Sequence, residues 1–368
     1  MSSAFHFIIY NVPFFCRLAG DLLSSFDPDQ KRQNAFPKNL NKSGSTLMRG
    51  LLWAFAAGLA GIVAASPVAS VAADFPSRPI TFIVPWGPGG GADQVARIIS
   101  KLIEPELKAS VPVVNMPGAT GQTGLTKLVT SPADGYTIEV MTGDTFALFA
   151  AKNSRFKLEQ ITPLAVMIQQ PSGFFSNATG PLQTWDDVQK AVKDKEMRVA
   201  VTGYGSPDDM SVNFFKNMGM KFQSVGFAEP GMRYASVVGG QSDLLYEQAG
   251  DVRSFIDGKQ IKPVLFFSKK PVEGFEDVAY SGKLGHKVLL PQFRVVIVRS
   301  GTDPAIVKTL SDALAKVAQA KEYRDYLKLQ YAESDSFIGS ENSVKFMKEW
   351  LSEADALSQS NAATAAAK

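Results

Sequence analysis

From residue 80 onward, short apolar runs alternate with segments whose apolar positions recur every three or four residues. Residues 80–84, 111–115 and 136–141 are compact runs rich in β-branched side chains, the pattern of buried strands. Between them, residues 92–107 and 122–130 carry helical periodicity; Val95, Ile98, Ile99, Leu102 and Ile103 form one stripe. Such a stripe predicts a helix buried along one face. Strand, helix and strand in this order make the βαβ rhythm of a parallel sheet with helices on its faces.

The rhythm restarts after Pro171. Residues 197–201, 222–227, 243–247 and 261–267 predict strands, separated by helical segments that end at glycines such as Gly239 and Gly258. Ser206-Pro207-Asp208-Asp209 has the make-up of a helix start: a capping hydroxyl, a proline in the first turn and two acids facing the positive end of the dipole. A strand at 293–298 and helices at 304–320, 321–329 and 341–357 follow, and the Ala-rich end from Ser360 is expected to fray. The chain thus divides into a discontinuous domain I, residues 74–170 and 292–368, and a domain II, residues 171–291. Two crossings near Pro171 and Pro291 would form the hinge of a clamshell. No 20–50-residue period marks a solenoid.

The N-terminal part has a different pattern. Met48-Arg49, a fifteen-residue apolar run at 51–65 and the small residues Val71-Ala72-Ala73 have the order of a secretory signal peptide, assigned to residues 48–73 with cleavage after Ala72 or Ala73. The run is too short for an ordinary membrane span. Residues 1–47 are read either as a translation start placed too early, with Met48 the true start, or as a longer export leader; they are expected to carry no fold. Of 38 basic and 35 acidic residues, six and three lie in the first 73, so the mature chain is close to neutral. That balance argues against nucleic acid or an anionic membrane as partner. The one cysteine, Cys16, leaves with the leader, which removes thiol, disulfide and thiolate metal chemistry.

Candidate chemistry begins at "VPWGPGGGADQVAR", residues 84–97. A phosphate-cradling P-loop needs a lysine that this loop lacks. Gly87, Gly89 and Ala92 fit G-x-G-x-x-A, yet the next strand ends in Asn115 where a ribose-binding acid is required, so no dinucleotide or other cofactor is expected. Two readings remain: an anion nest of backbone N–H groups at a helix start, or a tight turn whose glycines only satisfy geometry. "NMPGATGQTG" at 115–124 repeats the plan, and Thr142-Gly143-Asp144-Thr145 and Thr202-Gly203-Tyr204-Gly205-Ser206 add loops from two further strands. Together they would open at the carboxyl edge of the sheets, where ligands of such folds bind. Backbone donors could then grip a carboxylate without any arginine, with shape and bridging water supplying selectivity.

These residues carry a resemblance. Phe75-Pro76-Ser77-Arg78-Pro79-Ile80, Val84-Pro85-Trp86, Gly89-Gly90 and Asp93 are similar to YPxxPIxxVVPxxxGGxxD, the opening of the substrate-binding proteins of tripartite tricarboxylate transporters, the Bug or TctC family. Asn115-Met116-Pro117-Gly118-Ala119 with Gly121, Asp134-Gly135-Tyr136-Thr137, Gly239-Gly240-Gln241 with Asp243, and Gly258-Lys259 follow in the family's order. The resemblance implies an α/β, two-domain periplasmic-binding-protein fold of the type II clamshell kind. It further implies a monomer without cofactor that captures a small organic acid or amino-acid-like ligand in the periplasm for membrane permease subunits. By position, Trp86, Gly89, Gly90, Gly91, Gly118, Ala119, Thr120 and Gly121 would form the carboxylate grip. Thr142, Asp144, Thr145, Gly205, Ser206, Phe227 and Glu247 would line the remainder, and Asp93 would act as a helix-start acid or a ligand contact.

Departures from the family's pattern fall on the second wall. Phe227, Ala228 and Glu229 stand where an aromatic, a lysine and a glycine are common, and Glu247-Gln248 where an Asp is common. With Asp208 and Asp209 the wall is expected to be acid-rich and poor in cations. These acids are either ordinary caps or the recognition groups for a cationic or amide end of the ligand. The rival classes are an exported hydrolase and a periplasmic ligand-sensing subunit of a signalling system. Against the hydrolase, His286 is the only histidine after residue 6, no G-x-S-x-G elbow occurs, and no cysteine or paired histidines could hold zinc.

Overall fold

The computed structural model describes residues 75–150, 154–286, 290–333 and 335–366. The signal-peptide and leader assignments fall outside them. Among the described residues two six-stranded sheets form, of order β12-β4-β11-β3-β1-β2 and β10-β9-β5-β8-β6-β7. The first contains β1 (Thr81–Val84), β2 (Val113–Asn115), β3 (Thr137–Thr142), β4 (Ile161–Gln170), β11 (Gln292–Arg299) and β12 (Ile338–Gly339). The second contains β5 (Ser172–Asn177), β6 (Met197–Val201), β7 (Phe222–Gly226), β8 (Leu244–Gln248), β9 (Ile261–Phe266) and β10 (Ala279–Tyr280). The chain passes from one sheet to the other between β4 and β5 and returns between β10 and β11.

Both sheets are mixed, which corrects the purely parallel expectation. β1 pairs in parallel with β2 and β3, and β6 with β7 and β8; β11 runs antiparallel to β3 and β4, and β5 antiparallel to β8 and β9. The strands that run against the others are β11 and the short β12 in the first sheet and β5 in the second. β4 and β5 are absent from the sequence-based prediction because Pro163 and the Gln169-Gln170-Pro171 break disguise a continuous strand pair.

Helices α1 (Gly91–Leu107), α8 (Pro304–Gln319) and α9 (Lys321–Leu329) cover one face of the first sheet. α2 (Gln122–Thr130) and α10 (Ser340–Ala366) cover the other. On the second sheet, α4 (Trp185–Asp194) and α5 (Pro207–Asn217) pack on one face, and α6 (Pro230–Val238) and α7 (Arg253–Asp257) on the opposite one. Val95, Ile99, Ile103 and Leu107 are the buried stripe of α1; each such side chain contributes about 1.5–3 kcal/mol when withdrawn from water. The last helix extends past Ser360. α10 continues to Ala366, built from good helix formers, and Asn361 ties it to the second lobe by donating to the Met210 carbonyl and accepting from the Asn217 amide.

Candidate functional site

Helix α1 starts at a loop whose shape Asp93 sets. The Asp93 carboxylate accepts from the Gly89 N–H at 3.0 Å, from Arg97 at 2.8 and 2.9 Å, and from the Asn115 amide at 2.9 Å. Asn115 also donates to the Trp86 carbonyl at 3.0 Å, so one side chain at the end of β2 pins both flanks of the loop. Burial pushes Asp93 up, but the Arg97, Gly89 and Asn115 donors outweigh it and hold the carboxyl below its usual range. Asp93 is therefore a positioning residue, and the Gly89 N–H is occupied within the loop.

After β3, Thr142 caps the one-turn helix α3 (Gly143–Phe146). Its Oγ1 accepts from the Thr145 N–H at 3.3 Å and from Trp86 Nε1 at 3.2 Å. Gln292 of β11 locks the same turn: its Oε1 accepts from the Gly143 N–H at 2.7 Å and its Nε2 donates to Asp144 Oδ2 at 2.6 Å. In the second lobe, Ser206 caps α5 by accepting from the Asp209 N–H and donates to the Gly203 carbonyl at 2.7 Å. Asp209 accepts from Gly205 N–H, and Asp208 turns inward, where its Oδ2 accepts from the Thr202 N–H at 2.8 Å. Of these two acids, then, one is a cap and the other is buried.

The loops meet around a cavity of ≈ 30 Å³ between the sheets. That is room for a water or two and no more. Trp86, Gly90, Gly91, Thr142, Asp144 and Glu247 of the expected residues line it. Thr145 and Ser206 are buried behind that surface with their hydroxyls in the local caps. Gly118, Ala119, Thr120 and Gly121 form a left-handed turn, with φ of 134°, 48°, 55° and 88°, outside the lining; Thr120 faces Gly203 of the other lobe. Gly205 is exposed beside a second cavity between α5 and α10, and half-buried Phe227 gives its carbonyl to Arg233 Nη1 at 3.3 Å.

The sequence reading missed the cations. Arg233 of α6 and Arg294 of β11 both reach the cavity, one from each lobe, and both are almost fully buried. Arg233 pairs with Glu247, and Arg294 pairs across the cleft with Asp251 and donates to Gln170. Gln248, oriented with its amide nitrogen toward Asp251 Oδ2 at 3.0 Å and Glu247 Oε1 at 2.9 Å, bridges the two carboxylates. This corrects the cation-poor second wall. A guanidinium is a strong, two-pronged carboxylate donor, and Arg233 Nε and Arg294 Nε are buried without acceptors. Four buried acids, Asp144, Asp208, Glu247 and Asp251, complete the lining.

The lobes also approach through backbone. A Cβ on Gly91 would overlap the Asp251 carboxylate and the Arg294 guanidinium, and one on Gly90 would lie 2.7 Å from Pro230 Cγ. Gln94 of α1 donates to the Asp251 carbonyl at 3.2 Å. No group of His, Cys, Asp and Glu suited to a metal ion occurs among the described residues, and no helix among them is long and apolar enough to cross a membrane.

A family model described as "Tripartite tricarboxylate transporter family receptor" (TctC) matches residues 95–361. Protein BugT of Bordetella pertussis is 27% identical over 270 residues, which cover 71% of this chain and 82% of that protein. The solved structure of the periplasmic binding protein BugD superposes with a TM-score of 0.72 at 21% identity, covering 78% of this chain and 99% of the other. MatC from Rhodopseudomonas palustris with bound malate gives 0.70 at 20% identity, with 77% and 99% covered. At these identities the structures share the fold: two α/β domains of a periplasmic binding protein.

Proposed function

The chain belongs to the tripartite tricarboxylate transporter receptor (TctC) family, whose members here are solute-binding proteins and not enzymes, and on that premise we propose that it captures a small carboxylate-bearing metabolite in the cleft between its lobes. The observation that carries this reading is the convergence of Arg233 and Arg294, each almost fully buried and each from a different lobe, on one cavity. Each guanidinium is compensated in the closed form by a protein carboxylate, Arg233 by Glu247 and Arg294 by Asp251, and an incoming carboxylate would replace part of those contacts. Two such side chains aimed from opposite walls match a ligand with a carboxylate at one end and a second acceptor at the other. The malate held by MatC is of that size and chemistry.

Delivery to the membrane subunits of a tripartite transporter, and residence in the periplasm, belong to the same proposal. The ≈ 30 Å³ cavity cannot admit such an acid as it stands, so capture requires the lobes to part and close again, with the acid taking up some of the contacts that Glu247 and Asp251 now make. A ligand stabilises the closed form only through contacts made there.

The test is a thermal-shift screen of mono-, di- and hydroxy-dicarboxylates and amino acids, followed by small-angle scattering on any hit. A cognate acid should raise stability by about 2.7 kcal/mol at a hundredfold excess over its dissociation constant and leave the particle compact. A panel without any response would overturn the carboxylate assignment.

A further inference from the structure

The charged side chains that line the cavity are the guanidiniums of Arg233 and Arg294 and the carboxylates of Asp144, Asp208, Glu247 and Asp251. Glu247 is taken by Arg233 and Asp251 by Arg294. Asp144 and Asp208, one from each lobe and both almost fully buried, are left without an ion pair among the described residues. What holds them is neutral: Asp144 Oδ2 accepts from the Gln292 amide and Asp208 Oδ2 from the Thr202 N–H. Asp144 Oδ1 is buried with no hydrogen-bond partner. So is the hydroxyl of Thr202, a lining residue of the other lobe at 9% exposure.

We propose that this corner of the cleft is a subsite for an ammonium group: the captured ligand carries a protonated amine beside its carboxylate, and Asp144, Asp208 and Thr202 receive it. This rests on the carboxylate-capture reading above and narrows its ligand from organic acids at large to amino acids and related zwitterions. The arginines hold the acid end, and the two unpaired aspartates hold the amino end.

The charge balance decides the class of ligand. Four carboxylates against two guanidiniums leave the lining with an excess of two negative charges. Every carboxylate that a ligand brings in adds to that excess, whereas a cationic group on the same molecule takes from it. Buried charge without a counter-charge is costly. The hydrogen-bond inventory points the same way. An ammonium has three N–H donors and no acceptor, and the unpartnered Asp144 Oδ1 and Thr202 Oγ1 can both accept. A ligand hydroxyl has one hydrogen to donate and brings no charge. A metal ion is the poorer match, since no group of side chains suited to one occurs among the described residues. An ammonium is also close in size to the water that the ≈ 30 Å³ cavity admits. Asp144 follows β3 of the first sheet, while Thr202 and Asp208 follow β6 of the second. An ammonium between them touches both lobes and so favours the closed form.

Calorimetric titration with hydroxy acids set against the amino acids of the same skeleton isolates the ammonium: lactate with alanine, malate with aspartate, 2-hydroxyglutarate with glutamate. In each pair that binds, the amino acid should bind at least about tenfold more tightly, the worth of one charge-assisted hydrogen bond. Asp144→Asn, whose carbonyl can still accept from Gln292, should abolish that preference by weakening the amino acid alone. Asp208→Asn, which can keep the Thr202 N–H bond, should do the same and serves if the first variant folds poorly. Thr202→Val removes a hydroxyl that has no partner in the fold, and it should weaken amino acids while sparing hydroxy acids. Equal or tighter binding of the hydroxy acids, or a preference unchanged in both aspartate variants, would overturn the ammonium subsite and leave the carboxylate reading standing. Binding of ethanolamine or putrescine that is lost in Asp144→Asn, in a protein that takes none of the acids or amino acids, would do the reverse. No binding of any of these probes would remove both.

Discussion

Arg294, in an interior strand of one sheet, and Asp251, in the turn three residues beyond β8 of the other, form an ion pair inside the cleft at 2% and 5% exposure. Burial, offset in part by the Arg294 charge and reinforced by Glu247, pushes Asp251 up to about 6. Removing one partner of a buried pair costs about 3–5 kcal/mol, because the other charge is stranded. Arg294→Met is therefore predicted to open the cleft and to weaken carboxylate binding by at least about tenfold, one lost charge-assisted bond. Arg294→Met with Asp251→Leu should regain melting temperature without regaining affinity in calorimetry. Undiminished affinity in the single variant would remove Arg294 from recognition.

Gly91 is predicted to be a closure gauge. Alanine at this first position of α1 improves helix propensity by about 1 kcal/mol, yet its methyl would occupy the space where the Asp251 and Arg294 side chains meet. Because forcing that buried pair apart costs more than the propensity gain, Gly91→Ala should lower thermal stability, expand the particle in scattering and lower affinity. A compact variant with wild-type affinity would show that the ion pair can shift aside.

Glu139 lies in the middle of β3, fully buried, with neither carboxylate oxygen bonded. Burial pushes its carboxyl well above the ordinary glutamate range. The folded form thus holds a proton that the unfolded chain releases once pH passes that range. Stability from this residue declines as pH rises. Glu139→Met should be more stable by about 1–3 kcal/mol, the cost of an unsatisfied buried polar group, and the gain should be larger at pH 8 than at pH 5 in urea unfolding. An unchanged difference between the two pH values would mean that Glu139 is ionised in the fold.

Trp86 should report occupancy. Its indole donates to Thr142 at the cavity wall, whereas Trp185 and Trp350 lie in the cores of the two lobes. Ligand-induced fluorescence change is predicted to vanish in Trp86→Phe and to survive in Trp185→Phe. Persistence of the signal without Trp86 would place the ligand elsewhere.

Much of the fold can be read from the chain because the βαβ segments carry clean periodicity, from the stripe of α1 to the capped start of α5. β4 and β5 are hidden because proline and paired glutamines sit where two strands of different sheets abut. At the site, Trp86, Gly90, Gly91 and Thr142 come from loops whose glycines and hydroxyls announce them. Arg233 and Arg294 belong to a helix and a strand, where a single cation adds nothing to the period. A usable sign existed for Arg294, the only charged residue in the run 292–298; a charge in so apolar a strand must have a buried partner. Its partner could not be found in one dimension, since Asp251 lies in a turn that follows a strand of the other sheet. Asp208 shows the opposite limit: it sits in a helix-start motif beside Asp209, and only the fold shows that one acid caps while the other turns inward.

Strand β11 fills the gap between β3 and β4, although the whole second sheet separates it from both along the chain. A polypeptide emerging N-terminus first therefore holds β3 with one edge open, and β4 with no neighbour, until residue 299 has been made. The second lobe, being contiguous, can assemble in that interval, and the first is zipped shut afterwards by a late strand. Open edges are templates for pairing with other chains, so the interval before residue 292 arrives is when the nascent protein is most exposed to aggregation. Termination in that interval yields an intact second lobe tethered to an unclosed sheet, which lacks Arg294 and Gln292 and hence half of the cleft.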